Sequence, residues 1–191
     1  MIEYQLVNLK KMKKIIIGIF VLLISVGFYL IYPIWINPKS PKAKEVLQIE
    51  EFNIEVRYSR PSKRGRLIFG AEDQGALLIY GKYWRLGANA PTKISINKNV
   101  KFAGNELKSG EYAMYAVPYK DYWEITLNPK INSSGYQRPD SSFDVFTVAI
   151  PVNTASSAVE QFTISLKNMY SNVAMTMEWD NIVAVVPIQF Q

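Results

Sequence analysis

The sequence predicts an all-β fold, an antiparallel β-sandwich or open barrel, preceded by one N-terminal transmembrane helix. Three observations carry this. From Glu50 onward, apolar residues recur at every second position in short runs broken by Gly, Pro, Asn and Ser, the pattern of strands with one buried face. Nothing in that stretch holds a helical period over three turns. Ahead of it, Ile15 to Ile36 is an almost unbroken uncharged apolar run behind Lys10, Lys11, Lys13 and Lys14.

At about 1.5 Å of rise per residue the apolar run reaches roughly 33 Å, enough to cross a hydrocarbon core of about 30 Å. Tyr29, Tyr32 and Trp35 gather at its far end, where amphipathic rings favour the interface, and Pro33 is tolerated because the helix is ending. A cleaved signal peptide is the competing reading. Against it, the run exceeds an h-region of about 7–15 residues and no small-x-small cleavage site follows. The four lysines before the run outweigh Lys39, Lys42 and Lys44 after it, which favours residues 1–14 as a short basic cytoplasmic tail and the remainder outside the cytoplasm.

Residues 37–49, polar and containing Pro38 and Pro41, read as a linker, and residues 50–191 as the β domain. Asn53 to Tyr58 alternates Ile54, Val56 and Tyr58 against Asn53, Glu55 and Arg57. Leu67 to Phe69 reads as a short strand between corners at Gly65 and Gly70, and Lys93 to Asn97 as another strand. Gly104-Asn105 suits a tight hairpin, and Ser109-Gly110 a turn before a strand over Glu111 to Val117. Tyr122 to Asn128 follows, then a long loop over Asn128 to Ser142, the kind of segment that often carries function, then a strand from Phe143 to Val152. Phe162, Ile164 and Leu166 mark one further strand, and Val173, Met175, Met177 and Trp179 another. Asp180-Asn181 reads as the turn into a last strand, Ile182 to Phe190. Roughly ten or eleven strands in this length fit a sandwich or open barrel.

Among 191 residues there is no Cys and no His. Serine and cysteine nucleophiles therefore lack an imidazole base, and zinc and copper lose their usual ligands. Carboxylates, Lys, Tyr, Ser and Thr remain for acid/base work. No metal site and no cofactor is expected. Met175 and Met177 read as core filling.

The charge is concentrated. Arg57 to Asn89 holds seven Lys or Arg against Glu72 and Asp73, a net +5 in a chain whose total is +6. Two motifs lie there: Tyr58-Ser59-Arg60-Pro61-Ser62 with Arg64-Gly65-Arg66 and Ile68-Phe69-Gly70, then Tyr80-Gly81-Lys82 with Trp84-Arg85 and Gly87-Ala88-Asn89. With Thr92, Leu107, Gly110, Tyr112, Pro118, Trp123 and Asn128, they make the chain from about Phe52 onward resemble a family of bacterial envelope proteins known only as domain of unknown function family 2911. The resemblance implies an exported domain, hence a single-pass protein of the bacterial cytoplasmic membrane with its C-terminal domain in the periplasm. It implies no catalytic role. The segment Ala71 to Gly75 looks expanded against the family pattern and Asn128 to Ser142 shortened.

Arginines interleaved with aromatic rings suit an anion or a glycan, and equally a brace within the fold. The candidate ligand residues are Arg60, Arg64, Arg66, Lys82, Trp84, Arg85 and Asn89, with Trp84 and Arg85 expected to stack on each other. Nucleic acid is not expected, because an extracytoplasmic domain rarely meets it. The expected partners are the membrane, through residues 15–36, an anionic or glycan ligand, and another envelope protein. The expected function is a binding or envelope-interaction module. The alternative is an extracytoplasmic hydrolase of glycans or phosphoesters, working with these arginines and carboxylates such as Asp144, Glu160, Glu178 and Asp180.

Overall fold

The computed structural model describes residues 2–32, 39–131 and 135–190, the first nine of them by backbone alone. It comprises two units, residues 1–39 and 40–191. In the first, helix α1 spans Ile2–Ile31, and its segment Lys11–Ile31 is long and apolar enough to cross a membrane. The expected interfacial end at Pro33, Trp35 and Ile36 lies outside the described residues, as do Asn37 and Pro38 of the expected linker.

The second unit is antiparallel β almost throughout. Its strands are β1 (Lys42–Ile49), β2 (Phe52–Ser59), β3 (Phe69–Gly70), β4 (Leu78–Ile79), β5 (Thr92–Ile96), β6 (Val100–Phe102), β7 (Asn105–Leu107), β8 (Gly110–Pro118), β9 (Tyr122–Asn128), β10 (Phe146–Asn168) and β11 (Asn172–Phe190). Nine of them form one ladder in the order β1-β2-β5-β8-β9-β10-β11-β6-β7, and β3 and β4 form a small parallel pair. The long sheet folds over along β10. Phe146 to Pro151 pairs with β9, and from Val152 onward the strand pairs with β11, with register shifts between Thr154 and Thr163. Such bulges bend a strand and increase its twist, so one strand serves both layers of an open sandwich.

One core fills the space between the layers, with Ile54, Val56, Met114 and Ile125 from one side and Phe162, Ile164, Met177 and Val186 from the other. Cross-layer ties fix the closure. The Tyr58 hydroxyl donates to the Ile164 carbonyl at 3.1 Å and accepts from the Ile164 amide at 2.9 Å. The rings of Phe52 and Phe190 stack at 4.8 Å.

Several sequence expectations are corrected here. Residues 42–49 are not linker but the edge strand β1, paired along its whole length with β2, and Ala43, Leu47 and Ile49 pack on the core. The expected strands Phe143–Val152 and Phe162–Lys167 merge into the single strand β10, which starts only at Phe146, Phe143 closing a 3₁₀ turn over Ser141–Phe143. Asp180-Asn181 is not a turn between strands, because β11 runs through it. Asp180 instead bulges at φ 53°, and the buried set changes from Val173, Met175, Met177 and Trp179 before it to Ala184, Val186 and Ile188 after it. One extra residue has switched the parity, and a short polar side chain tolerates the left-handed backbone that this requires. The β6–β7 hairpin turns at Ala103 and Gly104, φ 46° and 85°, one residue earlier than Gly104-Asn105. Gly70 does not form a corner; it lies in β3, where a Cβ would approach Gln74 Oε1 to 2.8 Å and Ala76 Cβ to 3.0 Å.

Candidate functional site

The first basic motif is spent on the fold. Lys63 donates its backbone amide to the Glu160 carbonyl and Phe162 donates to that of Pro61, so residues 61–63 run as a short extension beside β10. Arg60 donates Nε to the Phe162 carbonyl at 3.3 Å and an Nη to Thr163 Oγ1 at 2.8 Å. The chain then reverses at Arg64 and Gly65, φ 52° and 70°, with Arg66 donating its amide back to Lys63. Arg66 folds its guanidinium onto the same turn, donating to the carbonyls of Lys63 at 3.0 Å and Ser62 at 2.6 Å. The Arg64 side chain is exposed, while its amide donates to Glu160 Oε1 at 2.9 Å. Lys63 pairs with Asp180 at the β11 bulge, covering that carboxylate.

The second motif enters the core through Trp84. Trp84 and Ala116 exchange backbone hydrogen bonds at 2.8 Å, an antiparallel bridge beside β8. The indole is 3% exposed and donates its N–H to the Gly87 carbonyl. It lies among Phe69, Trp123, Phe162 and Trp179, with ring centroids 5.0 to 6.1 Å away. The expected Trp84–Arg85 stack is therefore absent: alternation sends Trp84 inward with Ala116 and Arg85 outward. Gly87, φ 147°, lets the corner press on the first motif, since a Cβ there would lie 2.8 Å from the Ser59 carbonyl oxygen. Leu86 and Asn89 also take positive φ, 54° and 61°. The exposed Asn89 contributes its carbonyl, which accepts from Arg85 at 3.0 Å and from the Gly135 amide. Lys82 is exposed and makes no side-chain hydrogen bond or ion pair among the described residues.

Outward-facing side chains of this motif meet those of β8 and β9. Tyr83 and Tyr115 lie with ring centroids 5.5 Å apart. The Arg138 guanidinium sits 5.3 Å over the Tyr115 ring, and that of Arg85 5.4 Å over Tyr136, which is 80% exposed. Beneath them the hydroxyl of Tyr115 donates to Asp144 Oδ2 at 2.6 Å, and Asn128 Nδ2 donates to Asp144 Oδ1 at 2.7 Å and to the Asp140 carbonyl at 2.9 Å. Tyr83 donates to the Gly135 carbonyl at 3.2 Å. These bonds pin residues 135–144 over the outer face of the sheet; residues 132–134 of the same expected loop lie outside the described set.

Burial, and then the hydrogen bond to Asp144, raises the Tyr115 pKa above the ordinary tyrosine value. Burial raises Tyr83 likewise, with the charges of Arg85 and Arg138 pulling the other way, which puts both guanidiniums within electrostatic reach of one ring. Both tyrosines are thus neutral hydroxyl donors, and the patch's positive charge stays on the arginines.

The structure separates the sequence candidates. Arg60 and Arg66 face backbone carbonyls, Trp84 is core, Asn89 is a turn residue, and of the seven only Arg85 joins the outer patch by a side-chain contact with its loop. Of the acids, Asp144 is engaged by Tyr115 and Asn128, Glu160 by the turn at Arg64, and Asp180 by Lys63, while Glu178 is half-buried on β11. Tyr83, Tyr115, Tyr136 and Arg138 escaped sequence reasoning. Tyr115 carried a signal: a large aromatic on the otherwise outward parity of Glu111 to Val117.

Fold and site together define a two-layer β domain, preceded in the chain by an apolar helix, with an arginine–tyrosine patch on one sheet face. A family model described as protein of unknown function DUF2911 matches residues 40–188, and the chain belongs to that family. Comparison with curated proteins and with solved structures gives no match.

Proposed function

We propose that this protein is a single-pass membrane protein whose β domain lies outside the cytoplasm and binds an anionic or glycan ligand at the patch of Arg85, Arg138, Tyr83 and Tyr136. The observation that carries it is the pair of guanidinium–tyrosine stacks at 5.4 and 5.3 Å on one face. Over a ring each guanidinium keeps most of its N–H donors: Arg85 spends one on the Asn89 carbonyl at 3.0 Å and Arg138 one on the Tyr115 hydroxyl at 3.5 Å, and the rest remain for an acid group or sugar hydroxyls. Arg60 and Arg66 differ because each commits two nitrogens to bonds within the fold.

The location rests on the apolar segment Lys11–Ile31 and the lysines flanking it. A reporter fused to the C-terminus is expected to be active only outside the cytoplasm, and a cytoplasmic signal would reverse the orientation. For the site, calorimetric titration of the full chain in detergent with sulfate and with glucuronic acid tests the reading. Binding is expected to fall at least fivefold in Arg85→Ala and to stay unchanged in Arg66→Ala. Equal loss in both variants, or none in either, would reject the patch.

A further inference from the structure

The outer face continues beyond the arginines. On β8 and β9, Val117 lies opposite Glu124, and on β10 Ala149 pairs with Glu124 and Pro151 with Tyr122. Ala149 and Pro151 are exposed, and Val117 and Glu124 half-buried, whereas Tyr115 and Asn128 under the pinned loop are buried. At its far end, on the β8–β9 hairpin, the rings of Tyr119 and Tyr122 stack at 4.6 Å with an interplanar angle of 19°. The Tyr119 hydroxyl reaches Glu124 Oε2 at 3.4 Å, and a Cβ at Gly81, beside Lys82, would lie 3.9 Å from the Tyr119 ring. From Tyr115 to Tyr119 the strand advances about 13 Å at roughly 3.3 Å per residue, more than one sugar ring occupies.

The two ends differ in chemistry. Arg85 and Arg138 present donors and positive charge. The tyrosine pair presents a flat apolar surface beside the Glu124 carboxylate, an acceptor for hydroxyls that repels an anion. Resting on the ligand site proposed above, we propose that this face is an extended groove for an acidic oligosaccharide in which charged and uncharged rings alternate. A uronic-acid ring would lie at Arg85 and Arg138, and an uncharged ring against Tyr119 and Tyr122 with its hydroxyls toward Glu124. A free anion fills only the first end, and a wholly neutral sugar leaves both guanidiniums without a counter-charge, so charge complementarity selects the mixed chain.

The test titrates the full chain in detergent with glucuronic acid, a hyaluronan tetrasaccharide and neutral chitotetraose. The tetrasaccharide is expected to bind about tenfold tighter than the monosaccharide, the scale of one aromatic contact. Chitotetraose is expected to bind more weakly than the hyaluronan tetrasaccharide. Tyr122→Ala is expected to erase the gain with chain length while leaving glucuronic acid binding unchanged. Tyr119→Leu, which keeps an apolar side chain and loses the flat ring, should do the same and guards against misfolding of the first variant. A monosaccharide that binds through Arg85 with no gain on lengthening, or a gain that survives both tyrosine variants, overturns the groove and leaves the arginine patch standing. Absence of binding by either acid removes the patch and the groove together.

Discussion

The motif Arg60 to Arg66 and the motif Tyr83 to Asn89 share a composition and part company in use. Both join arginine to a glycine corner, and Gly87 of the second packs on the carbonyl of Ser59, the residue just before the first. The first lies beside the bulged stretch of β10, and its guanidiniums donate to the Phe162 carbonyl on that strand and to the Ser62 and Lys63 carbonyls of its own turn. The second meets β8 through the isolated bridge of Trp84 with Ala116, where the two backbones satisfy each other. Arg85 therefore keeps one bond to Asn89 and leans on a tyrosine. What the local backbone leaves unsatisfied, rather than residue type, decides whether an arginine braces or presents.

The largest way to break that contrast is to remove what both motifs rest on. Trp84→Ala empties the centre of a five-ring cluster and is expected to cost about 3–5 kcal/mol in urea unfolding. A loss below about 1 kcal/mol would mean that the ring is not in the core. Next comes the paired comparison of the arginines. Arg60→Ala strands a part-buried carbonyl and should cost about 1–2 kcal/mol without altering ligand affinity. Arg85→Ala loses an exposed stack worth about 0.5–1 kcal/mol and should lose affinity instead. If the two variants show the same profile, the motifs do not differ as described.

How far the sequence could lead follows the same logic. Period-2 alternation marked β2, β5, β8 and β9 because each has one face in the core and ordinary pairing on both sides. It missed β1, although Ala43, Leu47 and Ile49 do alternate, because Lys42, Lys44 and Gln48 on an edge strand resemble linker composition. It divided β10 and β11, because Thr154 to Ser157 and Asp180-Asn181 have the composition of turns while bulges carry the chain through them. The patch was legible only at Arg85. Tyr83 comes from the same motif, but Tyr136 and Arg138 come from the loop after β9 and their support Tyr115 from β8, and nothing local in the chain announces that Arg138 will lie over Tyr115 or that Asp144 will hold its hydroxyl.

The finest distinction lies between two buried tyrosines, one serving each region. Tyr58 is raised by burial, while its backbone hydrogen bond to Ile164 and the nearby Arg60 charge act in the opposite sense. Tyr115 is raised by burial and further by the Asp144 carboxylate, against the opposing pull of Arg138. In each case the folded state holds the proton more tightly than the unfolded chain. The stabilisation is therefore complete below the unfolded tyrosine pKa of about 10 and is lost as pH rises through the higher folded value. Tyr115→Phe should then be less stable than the parent at about pH 8, by about 1 kcal/mol for the lost hydrogen bond, and the gap should close toward about pH 11. Tyr58→Phe should show a gap that closes less steeply, because after burial the larger influence on Tyr58, its hydrogen bond to Ile164, opposes the rise and Glu45 adds only the smallest contribution, whereas for Tyr115 the hydrogen bond to Asp144 adds to it. Urea unfolding of both variants across that range checks the contrast. A Tyr115→Phe gap that stays constant with pH would mean that neither burial nor Asp144 holds the proton, and the loop over the outer face would lose its anchor.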